Sequence, residues 1–265
     1  MFNVKEFVLK TEKTQMDCIK FGCGSKPLVM IQGLNTNGIK GTGYPLAFMY
    51  RIFAKNYTVY LFDRRKDFPQ DFTVECIADD IADGMDALGI ESADVIGVSQ
   101  GGMVAQYLAV NRPDLVEKLV LCLTLCRNNP TVERAVNGWI DMTQKKEFKK
   151  LVADMAEKMY SESYLRKYRI FMPLLTVVQK PKDIQRFCAV SRSCLTCDTF
   201  DMLCKIKCPV FVIGAEKDKI VTAGASTEIA EKLGCRLHIY KNLGHAAYEE
   251  AKDFNKIIYN FLTEK

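Results

Sequence analysis

The stretch that decides the fold is Ala93–Gly102, which reads ADVIGVSQGG. Its first six residues form an apolar run typical of a buried parallel strand, and the run after it predicts a buried helix over 103–110. Between them, Gly97 and Gly101 stand two positions either side of Ser99. Small residues there permit a sharp strand-to-helix turn that exposes the serine on a strained backbone. The pattern predicts Ser99 as a catalytic nucleophile; the alternative is a glycine-rich turn with a spectator serine.

Seven further apolar or alternating runs predict strands. They are 4–10, 17–21, 27–31, 57–62, 118–123, 210–213 and 236–240. Helical patterns lie between several of them, at 73–88 and 223–233, and another follows the last, at 246–262. Strands that alternate with helices indicate βαβ units, so we expect an α/β protein with a mostly parallel sheet covered on both faces.

Residues 127–205 interrupt this alternation. They contain several helical patterns and no convincing strand. An insertion of this length is too long for a simple loop. We therefore predict two domains, a core made of residues 1–126 and 206–265 and a helical cap, or lid, made of residues 127–205.

The chain has two histidines, His238 and His245, as candidate bases for the serine. His238 falls inside the last alternating run, where a structural role is more common, whereas His245 follows that run in a loop. Catalytic side chains gather in loops at the carboxyl edge of a parallel sheet, so His245 is the predicted base. The third group should be a carboxylate that orients the imidazole. Asp218, in the loop after the preceding strand, is preferred, and Glu216 is the alternative.

These residues and their neighbours resemble the α/β-hydrolase superfamily, in its cap-bearing branch of esterases, lactonases and carbon–carbon-bond hydrolases. The resemblance rests on the chain order Ser99, Asp218, His245, on Asp63-Arg64-Arg65 after the fourth strand, on Pro113, and on Gly244-His245 with Glu249-Glu250 behind it. It covers nearly all of the chain outside residues 127–205. It implies an eight-stranded α/β-hydrolase sheet flanked by helices, with the cap inserted after the sixth strand, near Cys126.

The resemblance also implies an oxyanion hole made by two main-chain N–H groups. One belongs to Gln100, the residue after the nucleophile, and the other to Leu34, in the loop after the third strand. Two preorganised donors are worth several orders of magnitude in rate. This chain has Gln32-Gly33 where relatives usually have His-Gly; Gly33 keeps the turn, and the side chain of Asn35 is an alternative donor.

A serine, a histidine and a carboxylate together predict a two-step mechanism. His245 removes the proton of Ser99 as Ser99 attacks a carbonyl carbon, the leaving alcohol departs from an acyl-enzyme, and water then releases the acid. We expect the substrate to be a small or medium-sized, fairly apolar carboxylic ester or lactone. We expect no metal and no organic cofactor.

Several other activities would use the same apparatus. An aminopeptidase or amidase would bind a substrate amine through a cap carboxylate such as Glu133, Glu157 or Glu162. A carbon–carbon-bond hydrolase, a cofactor-free perhydrolase and an acyltransferase share the triad, and a non-catalytic ligand receptor is the alternative from another class.

The cap also contains Met and aromatic side chains. Some of them are expected to line an apolar pocket and most to form the cap's own core; they are Trp139, Met142, Met155, Met159, Tyr160, Tyr164, Tyr168, Phe171 and Met172.

The amino-acid composition limits which binding partners the protein is expected to have. The 265 residues are 48% hydrophobic and 26% charged, as in ordinary globular proteins, and the net charge of +5 is interspersed rather than patched, which argues against nucleic acid. An odd number of cysteines, with no secretory signal and no membrane-spanning run, predicts a cytoplasmic protein that does not bind membranes. Paired cysteines at 194, 197, 204 and 208 resemble zinc ligands, but the apolar pattern between them favours packing. The expected partner is a small-molecule substrate, and oligomeric state is not predicted.

Overall fold

A computed structural model describes residues 2–168, 170 and 172–264. Eight strands form one sheet in the order β1-β2-β4-β3-β5-β6-β7-β8. They are β1 (Lys5–Lys10), β2 (Gln15–Gly22), β3 (Lys26–Ile31), β4 (Tyr57–Arg65), β5 (Ala93–Val98), β6 (Val116–Cys122), β7 (Val210–Ala215) and β8 (Arg236–Tyr240). β1 and β2 pair antiparallel, β2 is antiparallel to β4, and all pairs from β4 to β8 are parallel. The predicted α/β fold with an eight-stranded, mostly parallel sheet is confirmed.

The helices lie mainly between consecutive strands. In the described residues they are α1 (Gly43–Met49), α2 (Val74–Ala87), α3 (Gln100–Asn111), α4 (Pro130–Gln144), α5 (Phe148–Met159), α6 (Glu162–Tyr168), α7 (Met172–Gln179), α8 (Ile184–Ser193), α9 (Ala223–Leu233), α10 (Ala247–Glu250) and α11 (Phe254–Thr263). Thr73 begins α2 by accepting a hydrogen bond from the main-chain N–H of Cys76 through its side chain, a standard N-cap. Gly234 ends α9 in the left-handed conformation.

The sheet is buried on both faces, as its continuous apolar strands require. In β3, Val29 and Ile31 belong to the apolar cluster that contains α2 and α3. Leu28 and Met30 belong to the opposite cluster, which contains α1 and α11. Successive side chains of a strand point to opposite faces, so one apolar run supplies both cores. The carboxyl ends of β3, β5, β7 and β8 consequently share one rigidly packed edge.

Two sequence predictions about helices were incomplete or wrong. The single helix predicted over 246–262 is two helices, because Ala251 is extended and turns the chain between them. Both helices line a cavity, α10 through Tyr248 and Glu249 and α11 through Phe254 and Ile258, and the two residues of α11 also belong to the apolar cluster of the sheet. Helix α1 was not predicted, since its seven residues show no helical period and include one glycine and one proline.

Residues 127–205, which we call the helical insertion, leave the sheet after β6 and return before β7. Among its described residues are α4 to α8 and the short 3₁₀ turns Cys194–Thr196 and Phe200–Lys205. Val132, Val136 and Trp139 of α4 are buried in the same cluster as the residues of the sheet. The insertion therefore packs on the core, while its boundaries as a separate domain stay a prediction.

All eleven cysteines are within the described part of the chain and are free thiols. Cys194 and Cys197 are buried, Cys208 is half-buried and Cys204 is exposed. Residues 2–168, 170 and 172–264 contain no group of three or more His, Cys, Asp or Glu side chains placed to hold a metal ion. Over the same residues no helix has both the length and the apolar character needed to cross a membrane.

Candidate active site

Ser99 occupies the sharp turn between β5 and α3. Its backbone has φ 54° and ψ −120°, a conformation that is strained for a side chain other than glycine. The strain is held by hydrogen bonds on both sides: the Ser99 N–H donates to the Cys122 carbonyl at 2.8 Å, and the Thr124 hydroxyl donates to the Ser99 carbonyl at 2.8 Å. The turn is thus anchored to β6 and the residues after it.

Two glycines make this turn possible, because each of them lets another stretch of backbone approach closely. A Cβ atom on Gly97 would lie 2.4 Å from the Gly101 carbonyl oxygen, and a Cβ atom on Gly101 would lie 1.9 Å from the Ile31 carbonyl oxygen. Real Cβ atoms do not come this close to backbone. The two glycines at either side of Ser99 are therefore required for steric reasons, as the sequence pattern predicted. Their small size lets α3 pack directly against the end of β3.

The structure brings Ser99, His245 and Asp218 into one hydrogen-bonded chain. The Nε2 atom of His245 is 2.9 Å from the Ser99 Oγ atom, and the Nδ1 atom is 2.7 Å from an Asp218 carboxylate oxygen. His245 and Asp218 are only 4% and 7% exposed. Glu216, the alternative carboxylate, is exposed, and His238 lies in β8 with its ring against Tyr240.

The environment of Asp218 keeps it ionised. Burial alone would raise the pKa of this carboxyl, but His245 and the main-chain N–H groups of Ile220 and Val221 lower it below its usual value. Those two N–H groups donate to the second carboxylate oxygen at 2.8 and 3.0 Å. The carboxylate is thereby oriented as well as charged, and it can hold the imidazole in one tautomer.

The loop that carries His245 is attached to the helical insertion. The Ala246 N–H donates to the carbonyl oxygen of Met159, the last residue of α5, at 2.8 Å. A Cβ atom on Gly244 would lie 2.9 Å from the same oxygen. The position of the imidazole therefore depends on where α5 ends.

Two main-chain N–H groups beside Ser99 are available to a ligand. Within the described residues, the N–H groups of Leu34 and Gln100 donate to no protein acceptor. The loop that carries Leu34 touches the nucleophile, since a Cβ atom on Gly33 would lie 3.2 Å from the Ser99 Cβ atom. These are the two positions that the family resemblance assigned to an oxyanion hole.

Arg64 fixes the loop that carries Leu34 by hydrogen bonds to its backbone, which the sequence did not reveal. Its Nη2 atom donates to the carbonyl oxygens of Gln32 at 2.6 Å and Gly33 at 3.3 Å. A trans peptide directs its C=O and N–H groups oppositely, so fixing the Gly33 carbonyl turns the Leu34 N–H to the other side. Arg64 is 3% exposed; burial lowers the pKa of its guanidinium to about 10, which leaves it charged near neutral pH.

The side chain of Gln100 links Arg64 to the helical insertion. Its Oε1 atom accepts from Arg64 Nε at 3.2 Å and from Nη2 at 2.6 Å. Its Nε2 atom donates to the Val190 carbonyl at 2.7 Å and to the Ser193 hydroxyl at 3.1 Å, both in α8. The residue thus offers its main-chain N–H beside Ser99 and uses its side chain to join α8 to β4.

Asn35, the alternative donor, lines the same wall. Its Oδ1 atom accepts from the Gly38 N–H at 2.8 Å and from Arg186 at 3.1 Å. Its Nδ2 atom is buried and has no partner among the residues that the structure describes. The side chain stays a candidate donor beside the main-chain N–H of Leu34.

A cavity of about 320 Å³ opens at Ser99 and His245. Its wall is mostly apolar, and the insertion contributes Val132, Val136, Trp139, Met155 and Met159. Phe171 lies outside the described residues, and so does the side chain of Met172. The three cap carboxylates suggested by the sequence, Glu133, Glu157 and Glu162, are exposed and are not among the described residues of this wall. Glu249 is in the wall, although the sequence offered it only as part of a motif.

Comparison with known proteins identifies the family. The family model for the alpha/beta hydrolase fold matches residues 26–252, and the chain belongs to this family. Membership supports an enzyme of the hydrolase class. The curated protein named "Putative carbamate hydrolase RutD", from Caulobacter sp. (strain K31), is 27% identical over 238 residues, which cover 85% of this chain and 88% of that protein.

Solved structures show the same fold. MGS-M2, an alpha/beta hydrolase enzyme from a Medee basin deep-sea metagenome library, superposes with a TM-score of 0.88 at 18% identity and covers 98% of both chains. The enol-lactonase from Burkholderia xenovorans LB400 superposes with a TM-score of 0.83 at 21% identity, over 97% of this chain and 100% of that one. At these identities the likeness extends to the fold alone.

Proposed function

We propose that this protein is a serine hydrolase that cleaves a small or medium-sized carboxylic ester or lactone through an acyl-enzyme on Ser99. The observation that carries the proposal is the chain of short contacts from Ser99 to His245 to Asp218, at 2.9 and 2.7 Å, on the wall of a cavity. A nucleophile, a base and a group that orients the base are the components that acyl transfer needs.

In the proposed mechanism, His245 accepts the Ser99 proton while Ser99 Oγ forms a bond to the substrate carbonyl carbon. The carbonyl oxygen becomes an oxyanion, which the N–H groups of Leu34 and Gln100 stabilise, with Asn35 Nδ2 as the alternative donor to Leu34. The tetrahedral intermediate collapses as His245 gives its proton to the leaving alcohol. Water, deprotonated by His245, then attacks the acyl-enzyme and releases the acid.

The cavity supports a substrate of limited size. Its volume of about 320 Å³ is at the small end of ligand pockets, and apolar side chains dominate the wall. We propose that the helical insertion acts as a cap, because Trp139, Met155 and Met159 line the cavity that contains the nucleophile. The relative named "Putative carbamate hydrolase RutD" agrees with a carbonyl substrate.

The decisive experiment is active-site labelling combined with turnover. Ser99→Ala should abolish labelling by a fluorophosphonate probe and lower kcat on a short p-nitrophenyl ester by at least about three orders of magnitude. Ser25→Ala, at an exposed serine, is the matched control and should behave as wild type. A Ser99→Ala protein that keeps a near-wild-type rate, with its fold intact by circular dichroism, would refute the proposal.

A substrate panel separates the remaining activities. Amides, diketones and alcohol acceptors test for an amidase, a carbon–carbon-bond hydrolase and an acyltransferase, all of which would depend on Ser99. No labelling of wild type and no turnover of any member of the panel would favour a ligand receptor instead.

A further inference from the structure

Glu249 is an acidic residue in a cavity wall that is mostly apolar. Among the described residues that line the cavity it is the only Asp, Glu, Lys or Arg, and the same wall includes Met30, Leu46 and Met49. It lies in α10, four residues after His245, and opens into the same cavity as Ser99. The proposed mechanism gives this carboxyl no role.

A hydrogen bond fixes the position of the Glu249 carboxyl. The Tyr160 hydroxyl donates to its Oε2 atom at 2.8 Å. Desolvation by the surrounding protein raises the pKa of the Glu249 carboxyl, and the negative charge of Glu250 raises it further. Hydrogen bonds from Tyr160 and Tyr248 lower it in part. The Glu249 side chain is exposed at the protein surface as well as lining the cavity, and no cation is among the described groups that act most strongly on it.

The groups around this carboxylate suit a cation. Tyr50, Tyr248 and Phe254 line the cavity with it, and the rings of Tyr248 and Phe254 meet edge to face at 6.5 Å. The Tyr50 hydroxyl makes no hydrogen bond to any described residue. Aromatic faces attract a cation through their quadrupoles, and the Glu249 carboxyl places an acidic group beside them.

We propose that Glu249, together with Tyr50, Tyr248 and Phe254, binds a protonated amine of the substrate. The substrates would then be esters that carry a primary ammonium group in their acyl or alcohol part. This inference rests on the proposed function and narrows its substrate class. The amine site is built on α10 of the core rather than on the cap glutamates that the sequence suggested.

The test compares substrates that differ only in the charged group. The acyl arm sets p-nitrophenyl 6-aminohexanoate against p-nitrophenyl heptanoate, and the alcohol arm sets 2-aminoethyl hexanoate against propyl hexanoate. In at least one arm, wild type should favour the amine by about tenfold or more in kcat/KM. Glu249→Gln, which keeps the shape and removes the charge, should reduce that ratio at least about tenfold.

Glu250→Gln is the matched control. Glu250 is the adjacent carboxylate, but it accepts hydrogen bonds from the N–H and the hydroxyl of Ser161 and is not among the described residues of the cavity wall. Its substitution should leave the preference for the amine unchanged. An equal loss of preference in both variants would overturn the assignment to Glu249.

A binding measurement keeps the inference testable if turnover or folding fails. Hexylammonium should raise the Tm of wild type more than hexanol does, and the difference should disappear in Glu249→Gln. Ester hydrolysis with no preference for the amine and no effect of hexylammonium would overturn the amine site and leave the serine mechanism standing. Stabilisation by hexylammonium without labelling of Ser99 would overturn the serine mechanism and keep the site.

Discussion

The guanidinium of Arg64 is the clearest case of one side chain acting on the site through another group. It is buried, its Nη1 atom has no partner among the described residues, and its Nη2 atom holds the carbonyls of Gln32 and Gly33. Lysine keeps the charge but cannot reach the loop and the Gln100 side chain together. Arg64→Lys should therefore lower kcat about ten- to hundredfold with little change in KM, because the oxyanion donor is made less rigid.

Arg65→Lys is the control for Arg64→Lys. Arg65 is the next residue along β4, but it pairs with Asp80 of α2 rather than with the oxyanion loop. Its substitution should change stability and leave kcat close to wild type. A rise in KM with kcat unchanged in Arg64→Lys would show that the residue binds substrate instead of positioning the loop.

Asp218 links catalysis to the pH dependence of stability. Asp218→Asn should lower kcat by about three to four orders of magnitude, since the imidazole loses its orienting charge. The pKa of the carboxyl is lowered on folding, so its stabilising contribution is present above the unfolded pKa of about 3.9 and is lost as the pH falls through the folded pKa. Urea denaturation should thus show a deficit in the variant at about pH 6 that shrinks on acidification; a constant deficit would contradict this.

At the scale of residues, the sequence identified side chains by type and chain order. It predicted that Ser99, Asp218 and His245 lie together, because each follows a parallel strand and such strands end at one edge. It could not identify Arg64 or Glu249 as part of the site. Which way a side chain faces at a strand end or in a four-residue helix depends on packing that no local pattern encodes.

The β5–α3 turn is the element whose sterics the whole site depends on. A methyl group on Gly101 would overlap the Ile31 carbonyl, so Gly101→Ala should destabilise the protein by more than about 3 kcal/mol and separate the oxyanion loop from Ser99. Gly138→Ala makes the same change inside α4, where the nearest atom is 3.9 Å away, and should stabilise by about 0.5–1 kcal/mol. Chemical denaturation measures both; equal effects would rule out the steric explanation.

Long helices with a regular apolar repeat were predictable from the sequence, and short helices were not. Helix α2 was found within one residue at each end because its apolar positions recur regularly behind the Thr73 cap. Helix α1 and the break between α10 and α11 were missed. Their bounds are set by which side chains fit the cavity and the sheet, and that is decided by tertiary contacts rather than by local propensity.

At the scale of the whole molecule, one ion pair joins the helical insertion to the core beside the site. Arg186 of α8 contacts Asp63 of β4 at 2.8 Å, with side chains 14% and 7% exposed. Arg186→Gln should cost about 3 kcal/mol, because the remaining carboxylate is buried without its cation. Lys145→Gln breaks an exposed pair with Asp141 and should cost under about 1 kcal/mol. Thermal denaturation compares the two, and similar losses would argue against a specific anchoring role for Arg186.

The hydrogen bond from Ala246 to Met159 limits how this chain can be re-engineered. Exchange of whole insertions is an attractive way to transfer substrate preference between members of one fold family. Here a donor insertion must also reproduce the end of α5, because the backbone of the histidine loop is attached to it. A chimera joined only at the strand ends would inherit a new pocket and lose the placement of its base. The junction has to be designed together with residues 244–246.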